Sequence, residues 1–169
     1  MRTFGMMVVV VLLAGGLGGC GGGKSAEKTE RFTQGGVSME PAVKSGQVIT
    51  VRRVDGAYSP RRGDVVVFHQ GEGTLLKRVI AVGGETVACC DVSGSVTVNG
   101  VRLDEPYVVE NAAIDVAPNP QSCASRRFGP VTVAKDALFV MGDNRARSND
   151  SRCGGAIPVG SVFGVMTEG

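Results

Sequence analysis

The feature that most constrains the fold of this chain is a succession of short, valine-rich segments separated by glycine-containing turns. These segments lie at residues 48–54, 64–68, 75–82, 86–88, 95–98, 101–103, 131–133, 138–141 and 162–166. Asn99-Gly100, between the fifth and sixth, is the strongest two-residue signal for a β-hairpin. Residues 111–127 are rich in Ala, Pro, Asn and Ser and are predicted to form a loop. No sustained helical period occurs after the first twenty residues, so the sequence predicts a mainly β domain.

The charge balance excludes one class of partner. Lys and Arg total 18 against 16 Asp and Glu, which gives a net charge of +2. No basic stripe interleaved with aromatic residues is present, as a nucleic-acid-binding surface would require. We therefore expect no nucleic-acid partner.

The first twenty residues form a separate unit. Arg2 precedes an apolar run at residues 4–14, and small residues then lead to Cys20. This layout is typical of an export signal, and the glycine-interrupted run is short for a helix that spans a bilayer. We expect an export signal or signal anchor at residues 1–20, a flexible tether at 21–34 and a β-rich domain at 35–169.

The end of the signal predicts how the chain is held at the membrane. Residues 17–20 read Leu-Gly-Gly-Cys and resemble the lipobox of bacterial lipoproteins, in which the cysteine is lipidated after cleavage. The short, glycine-rich run favours a lipid on Cys20 over an uncleaved anchor, and both alternatives stay open. In either case the domain lies on the extracytoplasmic face of a bacterial cytoplasmic membrane, in contact with lipid.

Four further cysteines bear on the redox environment. They are Cys89, Cys90, Cys123 and Cys153, and an even number in an exported domain favours disulfides. Three pairings are open, and we expect at least one bond between the adjacent pair and Cys123 or Cys153. A zinc site is not expected, because the adjacent cysteines lack ligand spacing and the single histidine, His69, is remote in sequence.

Three segments carry side chains suited to catalysis, and each alone has an ordinary structural explanation. Ser38 lies between glycine and proline residues and is consistent with a simple turn. Lys77 lies in an apolar strand, where a lysine at a sheet edge commonly extends to solvent. Residues 141–152 are polar and match a solvated surface loop.

Taken together and in this order, the segments resemble bacterial signal peptidase I. The resemblance rests on four blocks: Ser-Met-Glu-Pro at 38–41, Arg-Gly-Asp-Val-Val-Val-Phe at 62–68, Lys-Arg-Val-Ile at 77–80, and Gly-Asp-Asn-Arg at 142–145 continued through Ser148 to Arg152. It covers roughly residues 35–164. The resemblance implies a compact, mostly antiparallel β domain that removes signal peptides ending in small residues from exported preproteins.

The resemblance also implies a role for each residue. Ser38 would be the nucleophile and Lys77 the general base, while the Ser38 backbone N–H would bind the oxyanion. The supporting residues would be Ser148, which orients the Lys77 amine, and Asp143, Asp150 and Arg152, which brace the loop, the last two as a pair. Gly36 stands where some members have a serine that helps to bind the oxyanion, so a second donor is not identified. No cofactor or metal is expected.

The chemistry of the Ser–Lys pair has a physical requirement of its own. A serine hydroxyl needs a base to become a nucleophile, and a lysine can serve only when its amine is neutral. Burial lowers a lysine pKa from its ordinary ~10.4 because the ammonium loses hydration. Apolar residues flank Lys77 and its neighbour Arg78, namely Leu75, Leu76, Val79 and Ile80. The alternative function is a catalytically idle lipoprotein of the same fold that binds signal peptides or a partner protein.

Overall fold

The computed structural model describes residues 28–54, 58–109, 111, 114, 123 and 126–168. These residues form eleven strands and one short α-helix. In chain order they are β1 (Thr29–Thr33), β2 (Val48–Arg53), β3 (Val65–Gln70), β4 (Gly73–Val82), β5 (Thr86–Cys89), β6 (Val96–Val98), β7 (Val101–Arg102), β8 (Phe128–Thr132), β9 (Ala137–Met141), α1 (Ser151–Gly154), β10 (Ile157–Pro158) and β11 (Val162–Glu168).

The strands form two antiparallel sheets. The larger has the order β1-β2-β11-β3-β4-β9-β10, and the smaller has the order β7-β6-β5-β8. Every strand pair is antiparallel. The turn between β6 and β7 has positive φ at Asn99 (52°) and Gly100 (77°), as the hairpin signal requires. The prediction of a mainly β, antiparallel domain is confirmed.

The Val-Val-Val-Phe run at the start of β3 is buried on both faces. Val65 to Phe68 are each at most 5% exposed, so the strand shows a continuous apolar run in place of alternation. β3 pairs with β4 in a register that sets Val66 opposite Lys77. Lys77 is buried on this strand, which lies between β3 and β9 in the sheet.

Two parts of the core position the site. One group of buried residues joins the smaller sheet to β4 and β9, through Ile80, Val87 and Phe139 among others. A second group contains Met39 together with residues of β2, β3 and β4. Because Met39 is fully buried in it, the turn that carries residue 38 is fixed against the larger sheet.

The prediction of a flexible tether at residues 21–34 is wrong over its last part. Residues 29–33 form β1, which pairs with all but the last residue of β2, from Thr29 opposite Arg52 to Thr33 opposite Val48. The polar sequence of β1 lacks the apolar pattern that predicts a strand, because a strand at a sheet edge can expose both faces to solvent. The predicted export signal at residues 1–20 and most of the predicted loop at 111–127 lie outside the described residues. Among the described residues, no helix is long and apolar enough to cross a membrane.

The four cysteines form disulfides as predicted, but the predicted pairing is wrong. The bonds join Cys89 to Cys90 and Cys123 to Cys153. The reason is location: Cys89 ends β5 and is buried in the core between the sheets. Cys153 lies in α1, and the Cys123 sulfur is 3.5 Å from the backbone nitrogen of Asp150, close to that helix.

Candidate active site

Ser38 lies in a turn between β1 and β2. The turn is closed by backbone hydrogen bonds from Glu40 to Val37 (3.1 Å) and from Val43 to Met39 (2.9 Å). The Ser38 carbonyl accepts the backbone N–H of Asn144 at 3.0 Å. The turn is therefore joined both to the apolar core and to the loop at residues 142–150.

The amine of Lys77 is in direct contact with the Ser38 hydroxyl. Lys77 is 3% exposed, and its Nζ is 2.8 Å from Ser38 Oγ and 3.0 Å from the Leu76 carbonyl oxygen. The two residues are 39 positions apart in sequence. The structure thus brings together the two residues that the sequence predicted as nucleophile and base.

Burial sets the protonation of this amine. Loss of hydration lowers the pKa of Lys77 from 10.5 to about 8, while the negative charges of Asp150 and Asp143 act in the opposite direction. Each carboxylate is paired with an arginine, which weakens the effect of its negative charge on the pKa of the Lys77 amine. At mildly alkaline pH a large fraction of Lys77 is neutral and able to accept a proton.

Asp143 and Asp150, to which the resemblance gives a bracing role, each pair with an arginine. Asp143 accepts from Arg78 through both oxygens, at 2.8 Å (Nε) and 2.6 Å (Nη2). Asp150 accepts from Arg152 at 2.8 Å (Nε) and 2.9 Å (Nη2), which confirms the expected pair, and it caps α1 through the Arg152 backbone N–H. Asp150 also accepts the backbone N–H of Gly142 at 3.1 Å, so it ties the two ends of the loop together.

Ser148 is buried at this site but has a different partner from the one predicted. It is 1% exposed, and its hydroxyl donates to the Asn149 carbonyl at 3.5 Å. The hydrogen bonds of Lys77 go instead to Ser38 and Leu76. A Cβ on Gly142 would collide with both the Ser148 hydroxyl and the Ser38 carbonyl oxygen, so glycine is needed for this close approach.

The sequence analysis missed Glu105 and Tyr107, which contact the arginines Arg145 and Arg78 at this loop. Arg145 is 1% exposed and pairs with Glu105 at 2.5 Å (Nη2) and 3.2 Å (Nη1), while its Nε donates to the Gly142 carbonyl at 3.0 Å. The Tyr107 ring lies 4.2 Å from the Arg78 guanidinium. Glu105 and Tyr107 belong to a segment about forty residues before the loop, and nothing in their local sequence indicates the contact.

A groove, named the apolar groove after Phe32, Ile49, Val67 and Leu76 in its lining, adjoins the Ser–Lys pair through the residues that precede each of them in the chain. It is lined by residues 32–35, which precede Ser38, by residues 74–76, which precede Lys77, and by Ile49 and Val67. Its volume is about 200 Å³. The backbone N–H of Ser38 has no acceptor within the described part of the chain, which leaves it free to bind an oxyanion.

His69 is not part of this arrangement. Its side chain is exposed and stacks on the Phe163 ring at a centroid distance of 4.3 Å. The basic side chain in contact with Ser38 is that of Lys77.

Comparison with known proteins identifies the family. A family model described as signal peptidase, peptidase S26, matches residues 5–168. The chain belongs to this family. A probable signal peptidase I of Mycobacterium leprae is 52% identical over 118 residues, which are 68% of this chain and 37% of that protein. A signal peptidase I of Bacillus licheniformis is 37% identical over 131 residues, which are 74% of this chain and 67% of that protein.

The matches differ in how much of each relative they cover. This member of the peptidase S26 family spans little more than a third of the length of the first mycobacterial relatives that it matches. A crystal structure of a signal peptidase I from Enterococcus faecalis aligns with 66% of this chain and all of that chain, with 31% identity and a TM-score of 0.49.

Proposed function

We propose that this chain is a serine endopeptidase that removes signal peptides from exported preproteins through an acyl-enzyme on Ser38. The observation that carries the proposal is the 2.8 Å contact between Ser38 Oγ and a buried lysine amine whose pKa is lowered to about 8. Membership of the peptidase S26 family supports the substrate class.

The residues of the site suit each step of this reaction. Neutral Lys77 takes the hydroxyl proton as Ser38 Oγ attacks the scissile carbonyl carbon, and the Ser38 backbone N–H stabilises the oxyanion. The Lys77 ammonium then donates its proton to the leaving amine, which breaks the peptide bond and leaves an ester on Ser38. Water, deprotonated by Lys77, hydrolyses the ester and releases the signal peptide with a new carboxylate.

The apolar groove supports a preference for small residues before the scissile bond. It flanks the pair on the side of residues 32–35 and 74–76, and about 200 Å³ of space is too little for several bulky side chains. An extended peptide there would place its last small residue beside Ser38.

The buried contact also argues against the alternative of an idle lipoprotein. Burying a lysine amine costs folding free energy because its charged form loses hydration. A protein that only bound signal peptides would gain nothing from holding that amine 2.8 Å from a hydroxyl. Catalysis explains the arrangement and binding alone does not.

The decisive experiment compares three variants on a preprotein with a small-residue cleavage site. Ser38→Ala should abolish cleavage, and Lys77→Arg should lower kcat/KM by roughly a thousandfold because a guanidinium stays protonated. Lys135→Arg, at an exposed position, is the matched control and should cleave like the parent. Product masses report the cleaved bond, and melting temperatures report folding. Cleavage by folded Lys77→Arg at the parent's rate would refute Lys77 as the base.

We further propose that a lipid on Cys20 holds the domain at the extracytoplasmic face of the membrane, in preference to an uncleaved anchor. The support is the Leu-Gly-Gly-Cys sequence at residues 17–20 and the short, glycine-rich run before it. Cys20→Ala should accumulate uncleaved and incorporate no labelled fatty acid. A Cys20→Ala protein with the parent's mass and membrane fraction would favour the anchor.

A further inference from the structure

A second groove lies beside Ser38. We name it the polar groove after the Glu40 carboxylate and the Asn144 carboxamide; it has a volume of about 250 Å³, and Pro41 and Val109 complete its lining. It shares no lining residue with the apolar groove. Two of its lining residues lie close to Ser38. Glu40 follows Ser38 by two positions, and the backbone N–H of Asn144 donates to the Ser38 carbonyl at 3.0 Å.

Asn144 contributes an unused polar group to the polar groove. The residue is only 7% exposed, yet its side chain makes no hydrogen bond within the described part of the chain, and its Oδ1 is buried without a partner. Buried side-chain polar atoms nearly always have a partner in native proteins. A carboxamide offers one acceptor and two donors, and a half-turn about its last bond exchanges the two ends. It therefore matches the N–H and C=O of a passing peptide group.

Glu40 gives the polar groove a negative charge. Its Oε1 accepts the Ser45 backbone N–H at 3.2 Å, while Oε2 has no hydrogen-bond partner among the described residues. The side chain is half-buried, and no basic residue of the described chain pairs with it. A cationic side chain would gain Coulomb energy here and an anionic one would be repelled.

We propose that the polar groove binds the first residues after the scissile bond, with Asn144 pairing with a peptide group and Glu40 selecting against acidic side chains. The proposal rests on the proposed function. An extended substrate with its small residues in the apolar groove continues past Ser38 beyond that groove, and the polar groove adjoins Ser38 through Glu40 and Asn144. Asn144 and Glu40 thereby become specificity-determining residues for the part of the substrate that becomes the mature protein.

The test measures kcat/KM with the full chain in detergent micelles on matched peptides. All peptides share one sequence before the bond, and the extended set carries Lys, Gln or Glu at the first, second or third residue after it. A short peptide has an aminocoumarin as leaving group and no peptide group beyond the bond. Glu40→Lys is compared with Glu168→Lys, an exposed residue that lines neither groove.

The expected results are ratios, so a general loss of activity does not mimic them. Asn144→Ala should lower kcat/KM about tenfold more for extended peptides than for the short peptide, as loss of a buried hydrogen-bonded pair predicts. The parent should prefer Lys over Glu peptides by roughly threefold to fivefold, and Glu40→Lys should reverse that preference while Glu168→Lys keeps it.

The outcomes separate this proposal from the proposed function. If the parent cleaves the peptides but the ratios stay unchanged in Asn144→Ala and Glu40→Lys, the polar groove does not bind the leaving side. If Asn144→Ala fails to fold, the Glu40→Lys reversal decides alone. If the parent cleaves none of the peptides and matches Ser38→Ala, the proposed function fails and this proposal fails with it.

Discussion

The lowered pKa of Lys77 predicts a specific pH dependence of catalysis. At pH 7 an amine of pKa 10.5 is neutral in about 0.03% of molecules, and one of pKa about 8 is neutral in about 9%. Burial therefore raises the population of active base about 300-fold at pH 7. The kcat/KM should fall about tenfold per pH unit well below pH 8 and level off above about pH 9.

The assay is a pH–rate profile from pH 6 to 10 on a blocked peptide without titrating groups. The kcat/KM values report the free enzyme, so their midpoint gives the pKa of Lys77 before substrate enters. His69→Ala is the control, because His69 is the single histidine and its ring stacks on Phe163. Intrinsic fluorescence of the tyrosines at each pH verifies that the domain stays folded.

Two results would refute this reasoning. A profile that does not change between pH 6 and 10 would show that the neutral fraction of Lys77 does not limit the reaction. A midpoint that disappears in His69→Ala would assign the proton transfer to the histidine.

Three further predictions concern stability. Lys77→Met should raise the free energy of unfolding by about 3 kcal/mol at pH 7 and by only about 1 kcal/mol at pH 10. The sign follows from the lowered folded-state pKa: the burial penalty is fully present below pH 8 and is lost as pH rises to 10.5. Urea titrations at both pH values measure the difference in free energy of unfolding between Lys77→Met and the parent. A difference that grows as pH rises contradicts the prediction. Glu105→Ala should cost about 3–5 kcal/mol because it leaves Arg145 buried without its carboxylate. Asp104→Ala, at an exposed neighbour, should cost under about 0.5 kcal/mol, and equal losses would rule out the buried pair as the cause. Cys153→Ser should cost about 3–4 kcal/mol, since its disulfide closes a loop of 30 residues. Cys90→Ser opens no comparable loop, and calorimetry showing the larger loss for Cys90→Ser would contradict this account.

Local sequence determined the strands of this protein wherever burial imposes a pattern. The Val-Val-Val-Phe run of β3, the hairpin at Asn99-Gly100 and the strand at residues 138–141 were all predictable. Their signals lie in residues adjacent in the chain, and the physics of turns and pleated strands acts at that range. β1 escaped prediction because an edge strand needs no apolar face, and its pairing with β2 makes it a strand.

The contact between Ser38 and Lys77 depends on tertiary structure. Ser38 and Lys77 were candidates from their motifs, but the 2.8 Å contact across 39 residues exists because Met39 is buried against β2, β3 and β4. The same holds for the lowered pKa of Lys77, which depends on how much water the surrounding strands exclude.

Long-range partners were decided by packing alone. Four cysteines allow three pairings, and the choice followed from Cys89 lying in the core between the sheets while Cys123 lies beside α1. Glu105 was an ordinary acidic residue in the sequence until the fold placed it against buried Arg145. Such contacts depend on where distant segments meet in space. A one-dimensional pattern carries the local preferences of each segment but not their distance from one another, and that distance decides which residues share a site.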